Sequence, residues 1–245
     1  MVAISEVTAI VLTGGKGTRL AGLYPGLPKP MVPVCGKPFL HWVTAWLVRQ
    51  RLRDIVYSTG HLAGQVETWA NKADFGAGVR LRCRRETAAL GTGGAIANCL
   101  DLGSDPILAL NGDSLVLASL ASLAARLDDP SIDGVIQGVV AEDAARYGTL
   151  ELGGDGLLSR FLEKRPGRGV VNAGLYLMRR RLFPANVTPG PSSMETNLLP
   201  AALACGARIA VEVTAQAPFL DIGTPDSVVL AEAFITRHFA QFQTT

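Results

Sequence analysis

Short apolar runs alternate with longer segments whose apolar residues recur every three or four positions, and this alternation fills the first half of the chain. Val7–Thr13 and Asp54–Thr59 read as strands, because their apolar runs are short and bounded by polar or turn residues. Phe39–Arg53 reads as a helix with Phe39, Trp42, Val43, Trp46 and Leu47 on one face, which assigns the tryptophans to the core. Leu62–Ala70 follows as a helix, and Val79–Arg85 as a strand in which apolar and basic residues alternate. Thr92–Leu100 then reads as helix, Pro106–Leu110 as strand and Leu115–Leu127 as helix. Such βα alternation predicts a mostly parallel, doubly wound α/β sheet covered by helices.

The pattern changes after about residue 130. Gly134–Ala141, Gly148–Leu152, Leu157–Glu163 and Val170–Met178 are strand-like with short turns, as in an antiparallel or mixed lobe. A helix over Ser193–Cys205, a strand over Arg208–Thr214 and a closing helix from Pro225 to about Gln241 complete the reading. No linker, low-complexity segment or repeat interrupts the chain, and no hexapeptide repeat follows, so 1–245 reads as a single domain with halves of about 1–130 and 131–245.

Composition narrows the classes. The 245 residues, 48% of them hydrophobic, suffice for one large α/β domain. A formal charge of +2 argues for neither a nucleic-acid nor a membrane partner. The basic runs Arg80-Leu81-Arg82-Cys83-Arg84-Arg85 and Arg179-Arg180-Arg181 read as a solvated strand edge and a helix start. Cys35, Cys83, Cys99 and Cys205 lie far apart with no C-x-x-C, and only His41, His61 and His238 could complement them, so a thiol-based metal site is not expected. Free, mostly buried thiols fit a reducing cytoplasm. The start lacks a basic, cleavable leader pattern and no run approaches a membrane span.

The first strand runs into Gly14-Gly15-Lys16-Gly17-Thr18-Arg19-Leu20, and Pro28-Lys29-Pro30 follows. Glycines let backbone N–H groups converge on an anion, Thr18 adds a hydroxyl, and Arg19 can fork onto phosphate oxygens. Two prolines stiffen the segment carrying Lys29. The loop is neither a Walker A motif nor a dinucleotide fingerprint, since no Gly-Lys-Ser/Thr closes it and no third glycine stands in register. Two further elements stand at expected strand ends, where parallel sheets bind ligands: Leu90-Gly91-Thr92-Gly93-Gly94-Ala95 and Asn111-Gly112-Asp113. Asp113, with Asp221 in Phe219-Leu220-Asp221-Ile222-Gly223-Thr224, suits Mg²⁺, which takes few protein carboxylates. Alone, each aspartate reads equally as a helix N-cap or turn residue.

These residues resemble the sugar-1-phosphate nucleotidyltransferases. The glycine turn with Pro28-Lys29-Pro30 carries the resemblance first. Gly91-Thr92-Gly93-Gly94, Asn111-Gly112-Asp113, Tyr147-Gly148, Phe161-Leu162-Glu163-Lys164, Val171-Asn172-Ala173-Gly174 and Asp221-Ile222-Gly223 match the later motifs in order. Gly36-Lys37-Pro38-Phe39-Leu40 and the Phe219–Pro225 ending are most similar to D-glycero-D-manno-heptose 1-phosphate guanylyltransferases. The resemblance implies a Rossmann-like doubly wound, mixed but mostly parallel sheet with a smaller β-rich sugar-binding lobe. It implies that Leu12, Gly14, Gly15, Gly17, Thr18, Arg19, Gly91 and Thr92 bind nucleotide, and that Arg19, Lys29, Asp113 and Lys164 serve catalysis. It further implies that Asp113 and Asp221 hold Mg²⁺, and that Gly148, Glu163, Lys164, Asn172 and Gly174 face the sugar and its phosphate. Glu195 is a further sugar-side candidate, equally readable as a first-turn carboxylate of a helix. Glu86 is a candidate acceptor for guanine N1–H and N2–H₂, the alternative being an ion pair with Arg84 or Arg85.

The implied substrates are a nucleoside triphosphate and a sugar 1-phosphate, with a homo-oligomer open. Uridylyl, cytidylyl or thymidylyl transfer to a hexose 1-phosphate stays an alternative. A nucleotide-sugar glycosyltransferase is disfavoured because Ser114 and Leu115 follow Asp113 instead of an Asp-x-Asp motif. A non-catalytic regulatory subunit is disfavoured by the retained Arg19, Lys29, Asp113, Lys164 and Asp221.

Overall fold

The computed structural model of the chain describes residues 1–20, 22–145, 147–162, 166–183 and 190–243. In order these form β1 (Thr8–Leu12), β2 (Pro33–Val34), β3 (Lys37–Pro38), α1 (Phe39–Arg49), β4 (Asp54–Thr59), α2 (Ala63–Lys72) and β5 (Arg80–Arg85). Next come α3 (Gly91–Ala97), β6 (Ile107–Asn111), β7 (Ser114–Val116), α4 (Leu120–Leu127), β8 (Gly134–Ala141) and β9 (Thr149–Leu152). The chain continues through β10 (Leu158–Leu162), β11 (Gly169–Met178), α5 (Leu199–Ala204), β12 (Ile209–Thr214), β13 (Phe219–Asp221) and α6 (Pro225–Arg237).

Nine strands make one mixed sheet in the order β10-β9-β11-β6-β1-β4-β5, with β8 paired to β11 and to β12. The β6-β1-β4-β5 block is parallel, and β11 joins it antiparallel to β6. Through that seam the antiparallel strands of the second half continue the sheet of the first. Strand β1 lies at its centre, with Ala9, Ile10 and Val11 fully buried. Their side chains alternate between two cores: Ala9 and Val11 pack with Phe39, Val43 and Leu47 of α1, while Ile10 packs with Ile96 of α3, Tyr176 of β11 and Leu199 of α5. Helices therefore cover both faces, as the alternation predicts.

Several boundaries differ from the periodicity. Helix α1 ends at Arg49 rather than Arg53, because the chain reverses at Arg51 with a φ of 73° and buries Leu52 on its way into β4. The expected Leu115–Leu127 helix begins only at Leu120, and its first residues are β7, which pairs antiparallel with β13. An apolar run this short carries no period of its own. Ser193–Cys205 divides into a π-type turn over Met194–Leu198 and the short α5. The closing helix ends at Arg237, followed by a separate turn over Phe239–Gln241.

The basic run of β5 does lie on an edge strand, where Arg82 Nη2 donates to Asp54 Oδ2 at 2.6 Å. All four cysteines are free, yet only Cys99 is buried, while Cys35 and Cys205 are exposed. The expectation of mostly buried thiols is thus corrected: Cys35 sits at the β2–β3 turn and Cys205 caps α5. Burial pushes the Cys99 thiol up to about 11. Among the described residues no helix is long and apolar enough to cross a membrane.

Candidate active site

A cleft opens at the carboxyl ends of β1 and β6. One cavity of about 270 Å³ lies between the glycine turn and Asp113, lined by Leu12, Gly15, Gly17, Thr18, Arg19 and Lys29 among others. A second, of about 430 Å³, shares Leu12, Gly15 and Asp113 and extends past Gly14, Lys16, Glu86, Gly91 and Thr92. The two strand ends come together because Gly112 N donates to Leu12 O at 2.9 Å. A Cβ at Gly112 would stand 2.7 Å from that carbonyl oxygen, so the crossing requires glycine.

Asp113 and Asp221 meet through the β7–β13 ladder. Asp221 stands opposite Ser114 in register, and Ile222 N donates to the Asp113 carbonyl at 3.0 Å. Lys29 Nζ enters this pair, donating to Asp113 Oδ2 at 2.6 Å and standing 3.9 Å from Asp221 Oδ2. Pro28 and Pro30 on either side of Lys29 are both buried, so the base of its side chain is anchored while its tip spans the carboxylates. Asp221 Oδ1 accepts the Gly223 N–H at 2.7 Å. Asp113 and Asp221 present hard oxygen donors on either side of the Lys29 ammonium, and that donor chemistry fits Mg²⁺. Among the described residues no group of three or more His, Cys, Asp or Glu side chains that could hold a metal ion forms.

Across the cleft Lys16, Thr18 and Arg19 are exposed on the rim. The Arg19 guanidinium has no hydrogen bond or ion pair among the described residues, so its fork stays available to an anion.

Glu86 is held at the floor of the larger cavity. Its Oε1 accepts from Ser58 Oγ at 3.2 Å and its Oε2 from Leu90 N at 3.1 Å. The ion-pair alternative does not occur: Arg84 pairs with Asp101, and Arg85 with Glu67, whose carboxyl it holds below its ordinary range. Gly14 is packed on Glu86, and a Cβ there would stand 2.5 Å from Oε1.

Of the sugar-side candidates, Asn172 and Gly174 lie on β11 and Glu195 in the π-type turn. Asn172 N donates to Gly148 O at 2.9 Å, and the Asn172 side chain bonds both Gly174 N and the Tyr176 phenol. The pairing of β11 with β8 slips between Asn172 and Tyr176, and within that slip Gly174 stands against Asn111 at the end of β6. Gly174 takes a φ of +70°, and a Cβ there would stand 2.3 Å from Asn111 Nδ2. The Glu195 carboxyl is engaged by protein hydroxyls, at 2.7 Å by Ser193 and at 3.0 Å by Thr92. Glu163 and Lys164 lie outside the described residues. Lys16, Ser58, Asn111, Tyr176 and Gly223 also stand at or beside these candidates, with no role implied by the motifs. Lys16 and Gly223 stand inside quoted motifs, whereas Ser58 and Tyr176 sit in apolar strands and carry no local signal.

Residues 8–238 match the Nucleotidyl transferase family. The chain belongs to that family. This nucleotidyltransferase is 31% identical to the mannose-1-phosphate guanylyltransferase of Mycobacterium tuberculosis over 97% of the chain and 67% of that relative. It is 30% identical to the D-glycero-alpha-D-manno-heptose 1-phosphate guanylyltransferase of Aneurinibacillus thermoaerophilus, over 89% of the chain and 94% of the relative. In structure it is similar to HddC from Yersinia pseudotuberculosis, solved in complex with GMP-PN, with a TM-score of 0.82 and 28% identity over 93% of this chain and 98% of that one. The protein is an enzyme of the sugar-1-phosphate nucleotidyltransferase class, and its named relatives are guanylyltransferases.

Proposed function

We propose that this nucleotidyltransferase transfers GMP from GTP to a sugar 1-phosphate, a manno-heptose 1-phosphate before others, and releases pyrophosphate. The observation that carries the reading is the Lys29 ammonium seated between Asp113 and Asp221, across one cleft from Arg19 and the glycine turn. A phosphate oxygen of the sugar attacks the α-phosphorus, forming the new P–O bond as the bond to the β-phosphate breaks. The nucleophile has a second pKa of about 6, so it is mostly dianionic at neutral pH and needs no general base. The barrier lies in bringing two polyanions into line, since like unit charges about 4 Å apart cost roughly 4 kcal/mol each at an effective dielectric near 20.

The chain's own residues meet that cost. Backbone N–H groups of Gly14, Gly15 and Gly17, with Thr18 and Arg19, seat the triphosphate. Lys29 sits where charge builds on the reacting phosphoryl group. Asp113 and Asp221 would hold Mg²⁺, which when bound neutralises phosphate charge. Asn172 and Gly174 orient the sugar, which places the nucleophile for in-line attack. Glu86 presents two acceptor oxygens, held in place by Ser58 and Leu90, to the guanine N1–H and N2–H₂ edge.

GTP is supported by the guanylyltransferase relatives, and the heptose by the relative that spans 89% of this chain and is itself covered over 94%. Mannose 1-phosphate is the second reading, favoured by the 31% identical relative. A matrix of GTP, UTP, CTP, dTTP and ATP against heptose, mannose and glucose 1-phosphates, read by pyrophosphate release, tests both. The expected maximum is GTP with D-glycero-α-D-manno-heptose 1-phosphate. A maximum with any pyrimidine nucleotide overturns the base assignment, and a maximum with mannose 1-phosphate overturns the sugar.

A further inference from the structure

The half-buried Glu195 carboxyl accepts from three hydroxyl donors. Its Oε2 accepts from Ser193 Oγ at 2.7 Å and Thr92 Oγ1 at 3.0 Å, and its Oε1 from the Tyr176 phenol at 3.4 Å. Each of these hydroxyls already accepts an N–H: Ser193 from Glu195 N and Thr196 N, Thr92 from Met194 N at 2.7 Å, Tyr176 from Asn172 Nδ2 at 2.6 Å. Every hydroxyl proton is therefore directed at Glu195. The chain of bonds also sets the Asn172 amide. Its Oδ1 accepts from Gly174 N at 3.0 Å and its Nδ2 donates to Tyr176, so a reversed amide would face a donor with a donor. One N–H of that amide remains for a ligand.

We propose that Glu195 is a positioning residue of the transfer reaction: through Tyr176 it locks the Asn172 amide so that its second N–H reads the sugar 1-phosphate, and through Thr92 it ties that orientation to nucleotide helix α3. The inference rests on the nucleotidyl-transfer reading. Tyr176 is 1% exposed, so its phenol acts through its neighbours and not by touching substrate. Burial, with the Glu195 charge beside it, pushes the phenol above its ordinary value and keeps its proton in place. Glu195 stands in a π-type turn closed by Leu198 N on Ser193 O, a local irregularity that places Ser193 and Glu195 side by side.

The two arms are separable by mutation. Tyr176→Phe keeps the ring and cuts only the sugar arm, and Glu195→Gln, which sets an NH₂ group among hydroxyl protons, cuts both. With the full chain, Mg²⁺ and GTP against D-glycero-α-D-manno-heptose 1-phosphate and mannose 1-phosphate, Tyr176→Phe is expected to raise the sugar KM about tenfold, as for one lost hydrogen bond, with the GTP KM and kcat within about twofold. Glu195→Gln raises both KM values. Equal changes of both KM values in Tyr176→Phe, or none, overturn the inference and leave a structural network only. A second readout is independent of turnover: in ¹⁵N-asparagine-labelled protein the two Asn172 amide protons are sharp and distinct in wild type and broaden in Tyr176→Phe. Unchanged amide signals overturn it equally. Absence of wild-type turnover with any triphosphate would instead sink the transfer reading, while the amide signals still decide the lock.

Discussion

Around the glycine turn, Lys16, Thr18 and Arg19 are exposed, and Arg19 is without a bonded partner among the described residues. Around β11, Asn172, Tyr176, Glu195, Thr92 and Ser193 are joined in one connected chain of hydrogen bonds. One region keeps its donors uncommitted, and the other fixes their directions in advance. The difference follows from the ligands each side is proposed to meet. A polyphosphate is recognised by charge, and a solvated guanidinium reaches it from many angles. A sugar is recognised by the directions of a few hydroxyls, so its donors gain by being held before it arrives. Lys29 belongs to neither pattern, being committed to Asp113 in the resting protein although its proposed partner is phosphate.

The largest expected effect tests the charged side. Asp113→Asn removes one of the two carboxylates proposed to hold Mg²⁺ and the nearer Lys29 partner together, and is expected to lower kcat about 10³-fold, as removal of a transition-state charge group does, with little change in Tm. Near-normal pyrophosphate release would remove Asp113 from the machinery. Lys29→Met is expected to lower kcat by about 10²-fold or more while tightening Mn²⁺ binding to the nucleotide-free protein, because the carboxylate pair loses its internal cation. Titration calorimetry reads that gain, and unchanged metal affinity would show that the two carboxylates do not share an ion.

The next prediction concerns the boundary between the two sides. Glu86→Gln turns one acceptor into a donor toward the proposed base edge, and is expected to reduce the preference for GTP over ATP by about 10- to 100-fold. Retained preference would transfer base reading to other groups. On the preorganised side, Gly174→Ala forces a Cβ to within 2.3 Å of Asn111 Nδ2 at a positive φ. A loss of about 1–3 kcal/mol in a denaturant titration, with a raised sugar KM, is the expected outcome. The smallest effect is in pH. The substrate dianion is lost as pH falls through about 6, so kcat/KM for sugar 1-phosphate declines below that pH and is level above it. A second acid limb near neutrality would reveal a general base in the chain.

Much of the parallel half was legible because local period and turn chemistry agree there. Asp54–Thr59 is a strand with the bounds its apolar run suggests, and the glycine turn follows β1 as expected. The β7–β13 pair was not legible, since three apolar residues after Asp113 fit a helix as well as a strand and their partner lies about a hundred residues away. That missed ladder is what sets Asp221 beside Asp113. Glu195 was legible as a polar residue at a helix start but not as an acceptor for Thr92, 103 positions earlier.

The order of glycines, prolines and charges along the chain determined the family, the glycine turn after β1 and the identities of the carboxylates, because these depend on which chemical groups a short stretch of backbone can present. Only the tertiary structure decided that Lys29 bridges Asp113 and Asp221, that Glu86 is free of Arg84 and Arg85, and that three hydroxyls converge on Glu195. Those facts depend on strand register and on which side chain reaches a partner first, and both are settled by packing between segments distant in sequence.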